Sequence, residues 1–371
     1  MLQKFDEDVL EQILSHLQVK DLLRFKSVSK KWNSIISTPR FVNLHLNKSM
    51  STPSHHRIIM PYPKSFRAVD FHIMDVQDHL PRPEEAVGTF VGSSGGLICY
   101  LDKLTRRICV WNPSLRLSKT LDLNIQGSVS FFWFGRESSD DEYKVVLGIR
   151  SVVRKNTDPN LYAIRRITIM PDQDEYRNHI YVIMPFACVS ESSTQLEVDH
   201  IYFSSSDEGT LFSGLVHWFA GSYRIKSAIG SIYHDAVFTY DLGGKTLGKL
   251  STPVGLSSST GSIGVIDGCL SAIYRVCGGD CAIYEFWMMK EYGVKESWTK
   301  MTSLSFGNCD DGLSSFSRLK LVGATDTGDL ILCCAPDCQL LIYNVAEKKS
   351  KIVLSNGYGF ARMYVETLVF P

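Results

Sequence analysis

Residues 212–220, FSGLVHWFA, are followed over 236–250 by AVFTYDLGGKTLGKL. A glycine opens a short apolar strand, an aromatic-centred strand comes next, and a polar turn leads to one more short strand. β-Branched and aromatic runs bounded by Gly, Asp and Asn mark strands and their turns. The unit recurs. SGGLICYL (94–101) leads to ICVWNPSLRLSKTL (108–121), IDGCLSAIY (266–274) to AIYEFWMMKEYGVKESWTKM (282–301), and DTGDLILCCA (326–335) to LLIYNVAEKKSKIVL (340–354). The corresponding glycines, Gly96, Gly214, Gly268 and Gly328, are spaced by 118, 54 and 60 residues. The first gap is close to twice the others, which places one degenerate unit around YKVVLGIR (143–150) and IYVIMPFACV (180–189). That makes about five units, or six if 58–90 adds strands. Repeats of four short strands with a fixed glycine are what a β-propeller requires. The fold class is therefore mainly β, with a propeller-like domain of about five to six blades. Trp111, Trp218, Trp287 and Tyr343 are expected to be buried where blades meet.

The first forty residues follow another period. Val9, Leu10, Ile13, Leu14 and Leu17 recur at helical spacing, with Asp6 or Asp8 as the expected cap. Leu22, Leu23, Phe25 and Val28 form a second segment; Ser29 restarts a third through Trp32, Ile35 and Ile36, ended by Pro39. The polar stretch LNKSMSTPSHHR (46–57) reads as a linker, with His55 and His56 solvated. The expected plan is three helices over 1–45, linker and entry strands over 46–87, and the β domain over 88–371. A unit of about forty residues is close to the lower limit for independent stability. Its surplus apolar face must lie against the chain's own β domain or against another protein.

Lys plus Arg and Asp plus Glu are equal at 39 each, so overall charge gives no argument for nucleic acid or membrane. No run approaches the length of a membrane helix, and the start MLQKFDED does not resemble a secretory signal. Ten irregularly spaced cysteines, mostly in apolar runs, suggest reduced, buried thiols and a cytoplasmic or nuclear protein.

The order Phe5, Glu7-Asp8-Val9-Leu10, Ile13-Leu14, Leu17, Val19-Lys20, Leu22-Leu23-Arg24-Phe25, Val28-Ser29-Lys30 and Trp32 resembles an F-box. Two positions depart from the usual pattern: Phe5-Asp6 replaces the first Leu-Pro, and Gln18 replaces the second proline. The β region resembles the plant F-box-associated, kelch-like domain. The matching segments are Gly92 to Cys99, Trp111-Asn112-Pro113-Ser114, Tyr143 to Val146, Gly214 to Trp218, Phe238 to Leu242, Met288 to Lys300 and Tyr364 to Leu368. The resemblance fades between 150 and 210. It implies the non-catalytic substrate-recognition subunit of an SCF-type cullin-RING ubiquitin ligase. In such a complex the helices bind a Skp-family adaptor, which brings cullin and RING subunits, and the β domain binds a protein substrate. The adaptor-binding residues it implies are Phe5, Val9, Leu10, Ile13, Leu14, Leu17, Leu22, Leu23, Phe25, Val28 and Trp32. An S-locus or an immune-regulating subgroup would fit equally.

No cofactor or metal is expected. Gly92-Ser93-Ser94-Gly95-Gly96 satisfies the G-x-S-x-G pattern, but a nucleophile elbow needs a helix after the turn and LICYL is β. Gly244-Lys245-Thr246 lacks the earlier glycine of a phosphate loop and reads as a two-strand turn. Cys277, Cys281, Cys334 and Cys338 have spacings that a zinc site could use, yet small strand-connecting loops tolerate Cys without metal. The basic cluster Arg150, Arg154, Lys155, Arg165 and Arg166 has a single interleaved aromatic, Tyr162, and is followed by acidic PDQDEY (171–176). Solvated loop and contact for an acidic partner are the two readings, and the second makes these residues the expected substrate contacts. Rival functions are an adaptor-bound scaffold without turnover and a nucleic-acid-binding propeller.

Overall fold

A computed structural model describes residues 2–52, 55–62, 65–70, 76–84, 88–102, 104–123, 128–136, 142–153, 175–183, 192–196, 207–224, 231–253, 261–278, 281–306, 318–325, 327–335, 338–355, 357 and 359–371. Four helices come first: α1 (Leu2–Leu14), α2 (Val19–Phe25), α3 (Lys30–Ile36) and α4 (Pro39–Ser51). The fourth was not expected. Pro39 does follow the third helix, but it stands in the first turn of α4, where its missing N–H costs nothing, and Thr38 Oγ1 accepts from Phe41 N at 3.2 Å as the cap. Ser29 caps α3 as its position suggested, accepting from Trp32 N at 3.1 Å. Neither Asp6 nor Asp8 caps α1, which begins at Leu2. Acidic residues of α1 instead pair with later helices, Glu7 with Lys31 at 3.3 Å and Glu11 with Arg40 at 3.2 Å.

The linker expected over 46–57 is largely structured. Residues 46–51 complete α4, with Leu46 and Ser49 buried. His55 is also buried rather than solvated, and its Nδ1 lies 2.9 Å from Ser49 Oγ. Among the described residues the chain then forms six sheets, antiparallel except for one short strand, at the upper end of the expected count. The first contains β1 (His56–Pro61), β2 (Ser65–Asp70) and β3 (Val76–Pro81), completed by the last strand of the chain, β25 (Arg362–Val365). The second is β4 (Thr89–Ser94), β5 (Leu97–Asp102), β6 (Arg107–Asn112) and β7 (Leu117–Asp122). The third holds β8 (Ser128–Arg136), β9 (Tyr143–Val153), β10 (Glu175–Ile183) and β11 (Ser192–Leu196), plus the short β12 (Asp207–Glu208) lying parallel to β8. The fourth is β13 (Thr210–Phe212), β14 (Leu215–Arg224), β15 (Ser231–Asp241) and β16 (Leu247–Ser251). β17 (Gly261–Ile266), β18 (Cys269–Gly278), β19 (Cys281–Met289) and β20 (Trp298–Phe306) make the fifth. β21 (Arg318–Ala324), β22 (Leu330–Ala335), β23 (Gln339–Asn344) and β24 (Lys349–Leu354) make the sixth.

Neighbouring sheets touch through their first strands, except that the third meets the fourth through β12 against β14, and β21 touches β25, so the ring closes. Pairing the first sheet from both chain ends removes an open seam. Middle strands lie between two blades, so both of their faces are covered. LICYL and LILCC are accordingly buried without alternation. Outer strands such as β7 are mostly exposed. Gly96, Gly214, Gly268 and Gly328 all lie between the first and second strands of a blade, with φ of 77°, 77°, 69° and 82°. A side chain is disfavoured there, which explains the spacing in the sequence. Trp111, Trp218 and Tyr343 are buried in clusters that join neighbouring blades; Trp287 is only half-buried.

Turns replace the apparent motifs. Gly95 and Gly96 close the β4–β5 hairpin, and Asp241 Oδ1 accepts from Gly243 N and Gly244 N, both at 2.9 Å, in the β15–β16 turn.

Candidate functional site

The expected adaptor-binding residues divide into two groups. Leu14 and Leu22 are buried and form the module's core with Val19, Ile35, Ile36 and Phe41. Val9, Ile13, Leu23 and Val28 stay in solvent, 45%, 59%, 39% and 60% exposed. Leu10, Leu17, Phe25 and Trp32 are half-buried between the two groups, with Phe25 and Trp32 packed edge to face at 5.2 Å. The side chain of Phe5 lies outside the described residues. Four large aliphatic side chains in water on one forty-residue module form a surface suited to a partner.

Part of the module's apolar surface is covered by this chain itself. Leu368, buried in the module's core, comes from the C-terminal tail, and Leu115 comes from the β6–β7 turn. Asn112 fixes that tail: its Nδ2 donates to Thr367 O at 3.1 Å and to Val369 O at 2.7 Å, while its Oδ1 accepts from Ser114 N at 2.8 Å. Tyr364 Oη and Ser114 Oγ are 2.5 Å apart. On the module side His45 Nε2 lies 2.9 Å from Leu17 O. Burial lowers the pKa values of both His45 and His55.

First strands of neighbouring blades advance together along the axis. Ser262 Oγ donates to Leu319 O at 3.0 Å, and two residues on, Gly264 lies against Leu321. The tail and the β6–β7 turn thus place the helices at the face where these strands end. The opposite face is marked by Arg82 after β3, Thr89 and Phe90 at the start of β4, and Arg362 at the start of β25. A cavity of about 580 Å³ opens there, lined by Phe66, Phe90, Tyr100, Phe360, Arg82 and Arg362 among others. Deeper along the axis, Glu208 of β12 bonds both Lys320 of β21 and Arg362 of β25. Burial opposes ionisation of Glu208, but the two cations outweigh it and hold its pKa below the usual value. Burial and the charge of Arg362 push Lys320 down to about 8. The Arg362 guanidinium lies 5.3 Å from the Phe90 ring and 5.5 Å from that of Phe360.

Sequence reasoning missed this axial cluster. Glu208, Lys320 and Arg362 are far apart in the chain, and no local pattern links them. The side chain of Arg150 lies outside the described residues, as do Arg154, Lys155, Arg165 and Arg166 entirely. β9, ending at Val153, and β10, starting at Glu175 opposite it, flank that stretch. Cys334 and Cys338 are buried, and Cys338 Sγ lies 3.6 Å from Cys333 Sγ; the side chains of Cys277 and Cys281 lie outside the described residues. Among the described residues no His, Cys, Asp and Glu group has metal-binding geometry. No helix among them is long and apolar enough to cross a membrane.

The chain shares 25% identity over 390 residues with an F-box/kelch-repeat protein of Arabidopsis thaliana, covering 98% of this chain and 95% of that one. With the F-box protein CPR1 of the same plant it shares 24%, covering 92% and 82%. Among solved structures, one chain of a nidogen/laminin complex aligns over 84% of this chain and 99% of its own, with TM-score 0.45 and 7% identity. At that score the strand pairing of this chain, not the likeness, defines its fold. The F-box domain family matches residues 2–44, and the F-box associated beta propeller domain family matches residues 46–367. With the second match spanning most of its length, the chain belongs to the F-box proteins that carry an F-box-associated β-propeller domain.

Proposed function

We propose that this protein is the substrate receptor of an SCF-type cullin-RING ubiquitin ligase. The observation that carries the reading is the solvent-exposed aliphatic surface of Val9, Ile13, Leu23 and Val28 on a module matched as an F-box. A Skp-family adaptor covering that surface would connect it to cullin and RING subunits, in the cytosol or nucleus. The protein supplies proximity rather than bond chemistry. Holding a substrate lysine beside a charged conjugating enzyme raises its effective concentration, and no group of this chain need react. The same reading gives Arg150, Arg154, Lys155, Arg165 and Arg166 a contact with substrate.

Val9→Asp combined with Ile13→Asp tests the adaptor surface. Both positions are exposed, so folding should be little changed. In the complex each carboxylate would be desolvated at a cost of about 2 kcal/mol or more. Co-purification with a Skp-family adaptor should be lost while the thermal transition stays in place. Undiminished co-purification would overturn the receptor reading.

A further inference from the structure

We propose that the cavity on the face opposite the helices binds an acidic group borne on an aromatic or apolar body, presented by the protein to be ubiquitinated. This rests on the receptor reading above. About 580 Å³ falls within the roughly 300–1,000 Å³ of ligand pockets. Its walls combine Phe66, Phe90 and Phe360 with the guanidinium groups of Arg82 and Arg362. Among the described lining residues there is no carboxylate to neutralise them. The nearby Glu208 is already shared by Lys320 and Arg362. Counting Arg82, Lys320 and Arg362 against Glu208, three cations face one carboxylate, an excess of two positive charges.

Each feature excludes a class of guest. A cationic apolar group would meet the guanidinium groups at short range in a partly desolvated space. A bare inorganic anion would leave the aromatic walls dry and unfilled. A carboxylate on an aromatic stem satisfies both, since guanidinium groups take carboxylates bidentately and the rings take the stem. The buried Tyr100 hydroxyl contributes as well. It belongs to a lining residue and has no hydrogen-bond partner among the described residues. An acceptor arriving with the guest would give it one. The position suits a recognition site, because the opposite face is occupied by the helices and the tail.

The test uses the full chain and three defined probes: hydrocinnamate, its cationic counterpart phenylpropylamine, and an end-blocked peptide containing Phe-Asp-Phe. Ligand-observed NMR should give hydrocinnamate a Kd on the order of 1 mM, as expected for a fragment of this size. Phenylpropylamine should bind at least about tenfold more weakly. Arg82→Met should weaken hydrocinnamate about tenfold. Should that variant melt early, Thr89→Glu, which adds a like charge to the cavity lining, is expected to do the same. Tyr100→Phe should weaken binding while leaving stability unchanged or higher, because it removes an unpartnered buried hydroxyl.

Absence of hydrocinnamate binding, equal binding of the amine, or indifference to both Arg82→Met and Thr89→Glu would each overturn the site. Displacement of hydrocinnamate by the peptide supports a protein-borne guest. Binding of hydrocinnamate that the peptide cannot displace overturns that part and assigns the cavity to a free small acid. None of these measurements requires the adaptor. Loss of probe binding with adaptor capture intact therefore rejects the cavity alone, and failure of adaptor capture with probe binding intact rejects the receptor reading alone.

Discussion

Asn112 shows how much one side chain can hold. It is fully buried, and its amide makes bonds to Thr367 O, Val369 O, Ser114 N and Leu115 N. Those bonds fasten the tail that carries Leu368 into the helices. Asn112→Ala leaves buried donors and acceptors unmet, and the expected loss is about 3 kcal/mol in denaturant unfolding. Asn112→Asp is the sharper test. It keeps the shape and the acceptor to Ser114, but sets a carboxylate against two carbonyl oxygens. It should cost at least as much as the alanine. An aspartate variant of normal stability would show that the tail is not held by this amide. The same residue explains why Trp111-Asn112-Pro113-Ser114 is a recognisable segment: the Trp fills a blade join, the Asn binds the tail, and Ser114 meets Tyr364 of β25.

At the level of elements, the segment between β19 and β20, together with the start of β20, is stapled to the neighbouring blade. Tyr292 Oη lies 2.9 Å from His217 Nε2, and Trp298 Nε1 donates to Ser251 O at 2.9 Å. Burial pushes the pKa of His217 down to about 4, against the opposing backbone hydrogen bonds. With the folded value below the ordinary 6.5, the unfolded chain takes up the proton first as pH falls. His217 therefore contributes stability above about pH 6.5 and loses it progressively down to about pH 4. The full shift corresponds to about 3 kcal/mol. His45 and His55 move in the same direction, so acid sensitivity is shared with the helix junction. Denaturant unfolding of wild type and His217→Gln at about pH 7 and about pH 4.5 separates the contributions. The variant should lose distinctly less stability on acidification, and identical losses would remove His217 from the account.

Elements also show what the sequence could reveal. Glycines at φ near 77° and doubly covered strands such as LICYL leave marks that local chemistry makes visible. The burial of His55 is not legible locally, because it depends on a helix that begins at Pro39, where the sequence signals an end. Glu208, Lys320 and Arg362 could not be paired at all, because only ring closure brings β12, β21 and β25 to one axis.

For the whole molecule, the helices are fixed to the propeller rather than hung from it. Leu368 follows the strand that closes the ring and is buried among Leu14, Leu22, Ile36 and Phe41. The short tail therefore couples ring closure to the orientation of the helices. A receptor benefits from such a joint, since the effective concentration of a substrate lysine falls when the two ends move independently. Leu368→Ala removes most of that side chain from a closed core and should cost the docked state about 2–4 kcal/mol. The propeller should keep its thermal transition, because its own clusters are untouched. Limited proteolysis should then cut faster between α4 and β1, while the adaptor and the substrate are each still captured. Ubiquitination of captured substrate by the reconstituted ligase should slow all the same. If cleavage and ubiquitination both match wild type, the tail is a passive end, and the orientation of the helices is set by Leu115 of the β6–β7 turn and the contacts of α4 with His55.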